Sequence, residues 1–262
     1  MKKENFKLEE IKKYLKHPFE ISLLSVTNST NEDAKVLASM GAPHGTVICA
    51  RKQTDGHGRN KRNFYSPDDC GIYMSIVLRT NNSDYTPARV TTLAAISVCR
   101  AISRICSKEC RIKWVNDIYY RDKKVCGILA ESSYSKGGLP DYIVLGIGLN
   151  VYEPEKGFPP ELSGIATALY KETDITTDIR SKLCATILNE IFDNFYMDKA
   201  FLYEHYKSRL FILGREVTVI QNDKTYNARV VDLDSEYRLL VQDENADVVS
   251  LSFGEVSLKP IK

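Results

Sequence analysis

Three strand patterns follow one another with no helical stretch between them: "CRIKWVNDIYY" (residues 110–120), "KVCGILAESSY" (124–134) and "YIVLGIGLNV" (142–151). Parallel neighbours need a long crossover, so strands joined by short turns pair antiparallel, and the first two form a hairpin. Upstream the pattern alternates. A short helix is expected over residues 6–16 and a strand over 21–26. A helix follows that starts at Ser29 or Thr30 and stops at Gly41, then strands at 46–51 and 71–79 and a long helix from Pro87 to about Cys106. A further helical stretch spans residues 179–210. Alternation combined with a hairpin predicts an α+β fold: a central mixed or antiparallel sheet with helices, rather than a doubly wound parallel sheet.

The pattern changes in the last fifty or so residues. Only short alternating strands remain, at 215–220, 226–233, 237–243 and 247–253, spaced as in a small β-barrel. A boundary near Leu213–Gly214 divides the chain into residues 1–213 and 214–262.

The net charge of +2 over 262 residues implies no global polyelectrolyte partner, so contacts to phosphate or nucleic acid must come from local patches. The charged opening "MKKENFKLEEIKKYL" lacks the apolar core of a signal peptide, and no later run has membrane-spanning length. A cytoplasmic protein without a membrane partner is expected. The seven cysteines are scattered, five of them inside apolar runs, which predicts reduced, buried thiols without chemistry.

The segment "RKQTDGHGRNKRNFYSP" places five cations (Arg51, Lys52, Arg59, Lys61 and Arg62) against one acid, Asp55. Gly56 and Gly58 let a backbone approach a ligand closely, and Arg59 can fork two donors onto phosphate oxygens. A solvated loop and an anion-binding loop are both compatible with these residues. Fixing about eight loop residues costs on the order of 10 kcal/mol, against about 1.5–3 kcal/mol for one charge-assisted hydrogen bond. Residues 51–63 are therefore expected to be mobile without a ligand. On a continuous strand, Lys113, Val115 and Asp117 share one face, and Trp114 and Asn116 the other. A turn at Arg121–Asp122 would set Lys124 opposite Tyr119 and diagonal to Asp117, about 7–8 Å away. A lysine fixed there beside Gly127 suits a phosphoryl or carboxylate group, and a solvated hairpin lysine fits equally. Gly146 and Gly148 inside a strand call for a close approach, by a ligand or through a tight bulge.

Taken in order, "STN", "Q-x-x-G-x-G-R" with a downstream "SP", "KW-x-ND", "K-x-x-G-I-L", "G-x-G-x-N" and a terminal "GE-x-SL" resemble biotin protein ligase, the biotin–[acetyl-CoA-carboxylase] ligase family. The resemblance runs from about Ile21 to Lys259. It implies a class II synthetase-like catalytic domain with an SH3-like C-terminal barrel, and a two-step reaction. Biotin and ATP give biotinyl-5′-AMP and pyrophosphate, with Mg²⁺ on the triphosphate, and a lysine of a biotin carboxyl carrier domain of a carboxylase then takes the biotinyl group.

The resemblance also implies roles for individual residues. Ser29, Thr30, Asn31 and Gln53 would meet the ureido head of biotin. Gly56, His57, Gly58 and Arg59 would wrap the carboxylate and phosphate, while Gly127, Gly146 and Gly148 would lie against biotin. Lys124 would neutralise charge during adenylation, with Arg59 and Asp117 as the other catalytic groups. Arg62, Phe64, Lys113, Trp114, Asn116, Asp117, Asn150 and Lys259 would line the nucleotide side, with Glu255 and Lys259 closing over its end. No metal ligand is assigned.

Three positions depart from the family pattern: His57 stands for arginine, Lys61 for glycine and Val115 for proline. One helix ahead of residue 21 is fewer than a winged DNA reader needs, so a ligase without operator binding is expected, as monomer or homodimer. A lipoate–protein ligase of the same superfamily and a non-catalytic biotin or nucleotide sensor are the rival readings. Ser29, Thr30 and Gln53 favour a polar ureido head over a dithiolane, and Arg59 with Lys124 favours catalysis.

Overall fold

The computed structural model describes residues 6–79, 85–134, 140–171, 178–221, 224–252 and 255–258. The elements are α1 (Leu8–Tyr14), β1 (Glu20–Thr27), α2 (Thr30–Ser39), β2 (Thr46–Gln53), a 3₁₀ turn (Arg59–Lys61), β3 (Gly71–Leu78), α3 (Pro87–Cys106), β4 (Arg111–Lys113), β5 (Asp117–Tyr120), β6 (Lys123–Tyr134) and β7 (Pro140–Asn150). They continue with α4 (Pro160–Ser163), α5 (Arg180–Phe195), α6 (Lys199–Lys207), β8 (Glu216–Gln221), β9 (Lys224–Leu233), β10 (Leu239–Gln242), β11 (Val248–Leu251) and β12 (Glu255–Leu258).

Among the described residues, seven strands form one sheet in the order β1-β2-β3-β7-β6-β5-β4. Only β1 and β2 pair in parallel, joined through α2, so the sheet is mixed. Every residue of β3 is buried because both faces of the sheet are covered there, which is why "GIYMSIVL" reads as a continuous apolar run. On one face α3 packs against α5 and β6. On the other, Ala34 and Ala38 of α2 let the helix settle onto Ile48, Val77 and Val144.

Helix α3 starts with Pro87 in its first turn, its Thr86 cap accepting from Arg89 N, and ends at Ser107 in the left-handed region (φ 51°). All seven cysteines are free and buried. Burial pushes the thiols of Cys99 and Cys126 up and that of Cys110 to about 12, which suppresses thiolate chemistry.

Residues 110–120 do not form the single strand expected. The chain breaks at residues 114–116 and folds back, so that β4 pairs with β5 and Lys113 sits opposite Asp117. The cause is tertiary. Trp114 is 5% exposed and donates Nε1–H to Tyr237 O at 2.9 Å, and the Tyr206 hydroxyl donates to Val115 O at 2.8 Å. The Trp114–Val115 peptide bond is cis.

The β5–β6 turn does lie at Arg121–Asp122, both with positive φ, as a two-residue hairpin needs. Tyr119 faces Lys124, and an extra residue at Val125 then shifts the register so that Asp117 faces Gly127. The expected helix over 179–210 is two helices, because Asp198 caps a new start by accepting from Phe201 N.

The last five strands form an antiparallel sheet in the order β11-β10-β9-β8-β12. Among the described residues, no helix is long and apolar enough to cross a membrane.

Candidate active site

A cavity of about 420 Å³ opens where the N-terminus of α2 and the middles of β6 and β7 meet the loop after β2. Its floor is made possible by glycines. A Cβ on Gly146 would lie 2.1 Å from Asn31 Oδ1, and one on Gly148 would lie 2.5 Å from the Phe64 ring. The close approach expected at these two positions is thus made by the chain's own side chains, which occupy the space that the missing Cβ atoms leave. A Cβ on Gly127 would meet Phe64 at 3.2 Å and Lys124 Nζ at 3.3 Å. Gly146→Ala is expected to destabilise the protein by about 1–3 kcal/mol, since the Asn31 amide must be displaced. A denaturant midpoint equal to wild type would contradict that packing.

The polar end is built at the start of α2. Ser29 is the N-cap residue but makes no capping bond with its side chain. Gln53 replaces it, accepting at Oε1 from Thr30 N (2.9 Å) while its Nε2 donates to Ser66 Oγ (2.8 Å). Ser29, Thr30, Asn31 and Gln53 all line the cavity.

The cationic side comes from the loop and the β4–β5 turn. Thr54 N bonds Thr27 O, Asp55 N bonds Asn28 O and Phe64 N bonds Gly56 O, which anchors both ends of the loop. Asn60 takes φ 54° and turns the chain tightly enough for Gly58 N to reach Arg62 O at 2.7 Å. Arg59 Nη1 donates to Asn116 Oδ1 (3.2 Å), whose Nδ2 donates to Ile128 O (2.7 Å). Lys124 Nζ pairs with Asp117 Oδ1 at 2.7 Å. The neighbouring residues Asn116 and Asp117 therefore each hold one cation. Trp114 and Val115, just before them, are clamped to β-domain and α6 groups by the bonds already described, so the turn is fixed from behind.

His57, Arg62, Phe64 and Lys113 also line the cavity, with Lys113 Nζ 5.9 Å from the Tyr119 ring centre. Burial, and then the charge of Asp117, push the Tyr119 hydroxyl up to about 12, so it stays protonated. The arrangement is a half-polar chamber with an uncharged hydrogen-bonding end and two fixed cations, suited to an acid whose carboxylate meets a phosphate.

The model of the biotin/lipoate A/B protein ligase family matches residues 23–150, and that of the biotin protein ligase C-terminal domain matches residues 212–259. The chain belongs to the biotin/lipoate protein ligase family. A relative from Bacillus spizizenii, the bifunctional ligase/repressor BirA, is 39% identical over 144 residues, covering 55% of this chain and 44% of that protein. The biotin–[acetyl-CoA-carboxylase] ligase of Mycobacterium tuberculosis is 27% identical over 246 residues, covering 90% and 88% of the two chains. The biotin protein ligase of Aquifex aeolicus, solved with biotin and ATP, superposes with a TM-score of 0.75 at 28% identity, covering 92% of this chain and 98% of that one. The chain thus spans less than half the length of the BirA protein first named.

Within this family fold, two residues expected at the site stand elsewhere. Gly56 is buried outside the cavity lining, where a Cβ would lie 2.7 Å from both Gln53 Nε2 and Phe64 O, so its role is to let the loop pack on its own anchors. Asn150 is also buried away from the cavity and donates to Thr167 O at 3.1 Å, tying the end of β7 to the segment after α4. Lys259 lies outside the described residues.

Sequence reasoning missed two parts of the wall. Leu162 and Ile165 line the cavity, with Ile165 O accepting from Lys124 N at 2.8 Å, and Val256 and Ser257 of β12 line it as well. The 57% exposure of Ile165 in "LSGIATAL" belongs to the fold, and no pattern in the sequence signals it.

Proposed function

We propose that this chain is an ATP-dependent biotin–protein ligase. The observation that carries the reading is one cavity holding both an uncharged donor–acceptor end (Thr30, Asn31, Gln53) and two cations, Arg59 and Lys124, on adjacent residues of one clamped turn. Biotin's head would occupy the polar end and its carboxylate would lie between the cations. A carboxylate oxygen attacks the α-phosphorus of ATP, the bond to the β-phosphate oxygen breaks, and pyrophosphate leaves. Negative charge builds on the α-phosphoryl oxygens, where Arg59 and Lys124 stabilise it without having to reorganise. A lysine amine of a carrier domain then attacks the acyl carbon, and AMP leaves with the electron pair of the acyl–oxygen bond.

Mg²⁺ would enter as part of the nucleotide substrate and neutralise phosphate charge. Among the described residues no cluster of three metal-ligating side chains exists, and Asp117, the carboxylate in the cavity, is paired with Lys124. We assign residues 1–213 to catalysis and 214–262 to the C-terminal domain. No operator-binding role is assigned, because α1 packs on α5 with Ile11 fully buried, as part of the core.

Incubation with biotin, ATP and a biotin carboxyl carrier domain should add the mass of one biotinyl group to the carrier. An unmodified carrier under conditions where a known ligase modifies it would overturn the transfer step. Without ligands, limited proteolysis is expected to cut within residues 57–63, between the anchored ends of the loop, and biotin with ATP should protect. Equal cleavage in both states would sink the expectation that the loop is mobile without its ligand.

A further inference from the structure

Tyr206, in the last turn of α6, is fully buried and lies outside the cavity lining. Its ring meets that of Tyr237 edge-on at 6.3 Å, and its hydroxyl donates to Val115 O at 2.8 Å. A phenol buried in this way needs such a partner. Burial first, and then the charge of Asp117, push the Tyr206 hydroxyl up, while Arg59 pulls it the other way. The hydroxyl therefore stays protonated, a fixed donor near enough to feel both an acid and a cation of the active site.

The carbonyl that Tyr206 holds belongs to the peptide leading into Asn116. On the sheet side Asn116 is fixed twice by Ile128: its backbone O accepts from Ile128 N at 3.0 Å, and its Nδ2 donates to Ile128 O at 2.7 Å. Neither bond fixes the plane of the preceding peptide. That plane is held from behind, by Tyr206 at Val115 O and, one residue earlier, by Trp114, whose Nε1 donates to Tyr237 O at 2.9 Å. Beyond it, Asn116 Oδ1 accepts from Arg59 Nη1 at 3.2 Å, and Asp117 Oδ1 pairs with Lys124 Nζ at 2.7 Å. One buried hydroxyl thus acts one residue before the acceptor of the first cation and two before that of the second.

We propose that Tyr206 is a positioning residue for adenylation. By fixing the Val115–Asn116 peptide it sets Asn116 and Asp117, and through them Arg59 and Lys124, where phosphoryl charge develops. The inference deepens the ligase reading, on which it rests for the reaction. A misplacement of about 1 Å at a reacting centre can cost on the order of a hundredfold in rate. Loss of one anchor, with the Ile128 and Tyr237 bonds still in place, moves the cations less and costs less. Biotin's uncharged head meets Thr30, Asn31 and Gln53, which this turn does not carry, so the loss falls on the chemical step.

The test is Tyr206→Phe in the full chain, which removes the hydroxyl and keeps the ring, with Tyr203→Phe as its control. Tyr203 lies one turn earlier on α6 and donates to Leu233 O at 2.6 Å, a bond of the same kind whose partner is outside both the turn and the cavity. The two variants should show similar falls in denaturant midpoint. Rates are read as kcat and KM for biotin in pyrophosphate exchange into ATP. Tyr206→Phe should lower kcat about three- to tenfold, the worth of one hydrogen bond, with KM for biotin nearly unchanged. Tyr203→Phe should keep the wild-type kcat. In a Lys124→Ala background, Tyr206→Phe should cost at least about twofold less than in wild type, because part of what it positions is already gone. An unchanged kcat in Tyr206→Phe, equal kcat losses in the two Phe variants, or the same loss with and without Lys124 would overturn the positioning role while leaving the ligase reading intact. Wild-type protein with no biotin-dependent exchange would overturn that reading, and the positioning role with it.

Discussion

Lys124→Ala should lower biotin-dependent pyrophosphate exchange by about 100-fold or more, with a much smaller change in biotin affinity. Lys124 is held by backbone bonds on both sides, its N–H to Ile165 O and its carbonyl accepting from Thr167 N, each at 2.8 Å. Its ammonium is pinned by Asp117, so the charge is in place before the nucleotide arrives. Ground-state biotin brings one negative charge, whereas the adenylation transition state crowds the carboxylate and several phosphoryl oxygens together. The lysine therefore matters most in the adenylation transition state, and the loss should fall on kcat.

Truncation also leaves the Asp117 carboxylate, 23% exposed, facing the phosphates without its partner. The double variant Lys124→Ala/Asp117→Ala should recover part of the rate, in proportion to that repulsion. The measurement is steady-state exchange with direct biotin titration alongside. Near-normal exchange in Lys124→Ala would reduce the lysine to a hairpin surface residue.

Arg59→Gly should leave much of the chemistry in place and speed the escape of biotinyl-AMP by roughly ten- to a hundredfold, the equivalent of one charge-assisted contact of about 1.5–3 kcal/mol. Arg59 bridges the loop to Asn116, so its guanidinium both contacts the cavity and latches the loop across it. Released adenylate acylates exposed lysines without carrier recognition. The check is incubation with biotin, ATP and an unrelated lysine-rich protein, followed by a streptavidin blot. A bystander that stays unlabelled while exchange persists would remove Arg59 from the retention of the intermediate.

The parts of the fold that were legible in the sequence are those whose causes are local. Pro87 and the residues around Cys106 bound α3 where the pattern places them, because a proline at the first turn and a left-handed cap act within a few residues. Once a turn is supposed at Arg121–Asp122, strand pairing alone sets Lys124 opposite Tyr119 and diagonal to Asp117, as found; the turn's position and the bulge at Val125 were not fixed by the pattern. The fold-back at residues 114–116 was not legible either, because its partners Tyr206 and Tyr237 lie 91 and 123 residues further along the chain.

Glycines were legible as points of close approach but not as to what approaches. Gly146 and Gly148 admit Asn31 and Phe64, which only the folded sheet brings to them. Gln53 reads in the sequence as a ligand-binding amide, yet it also caps α2, a role created when the parallel pair β1–β2 sets it beside Thr30. The wall supplied by Val256 and Ser257 was hidden because it crosses between domains.

Exchange of labelled pyrophosphate into ATP, run with biotin, with lipoate and with neither, tests the central claim most directly. Activation of an acid between Arg59 and Lys124 predicts exchange that requires biotin and is not supported by lipoate. Exchange driven by lipoate would give the polar end of the cavity the wrong substrate, and no exchange with either acid would contradict the catalytic account.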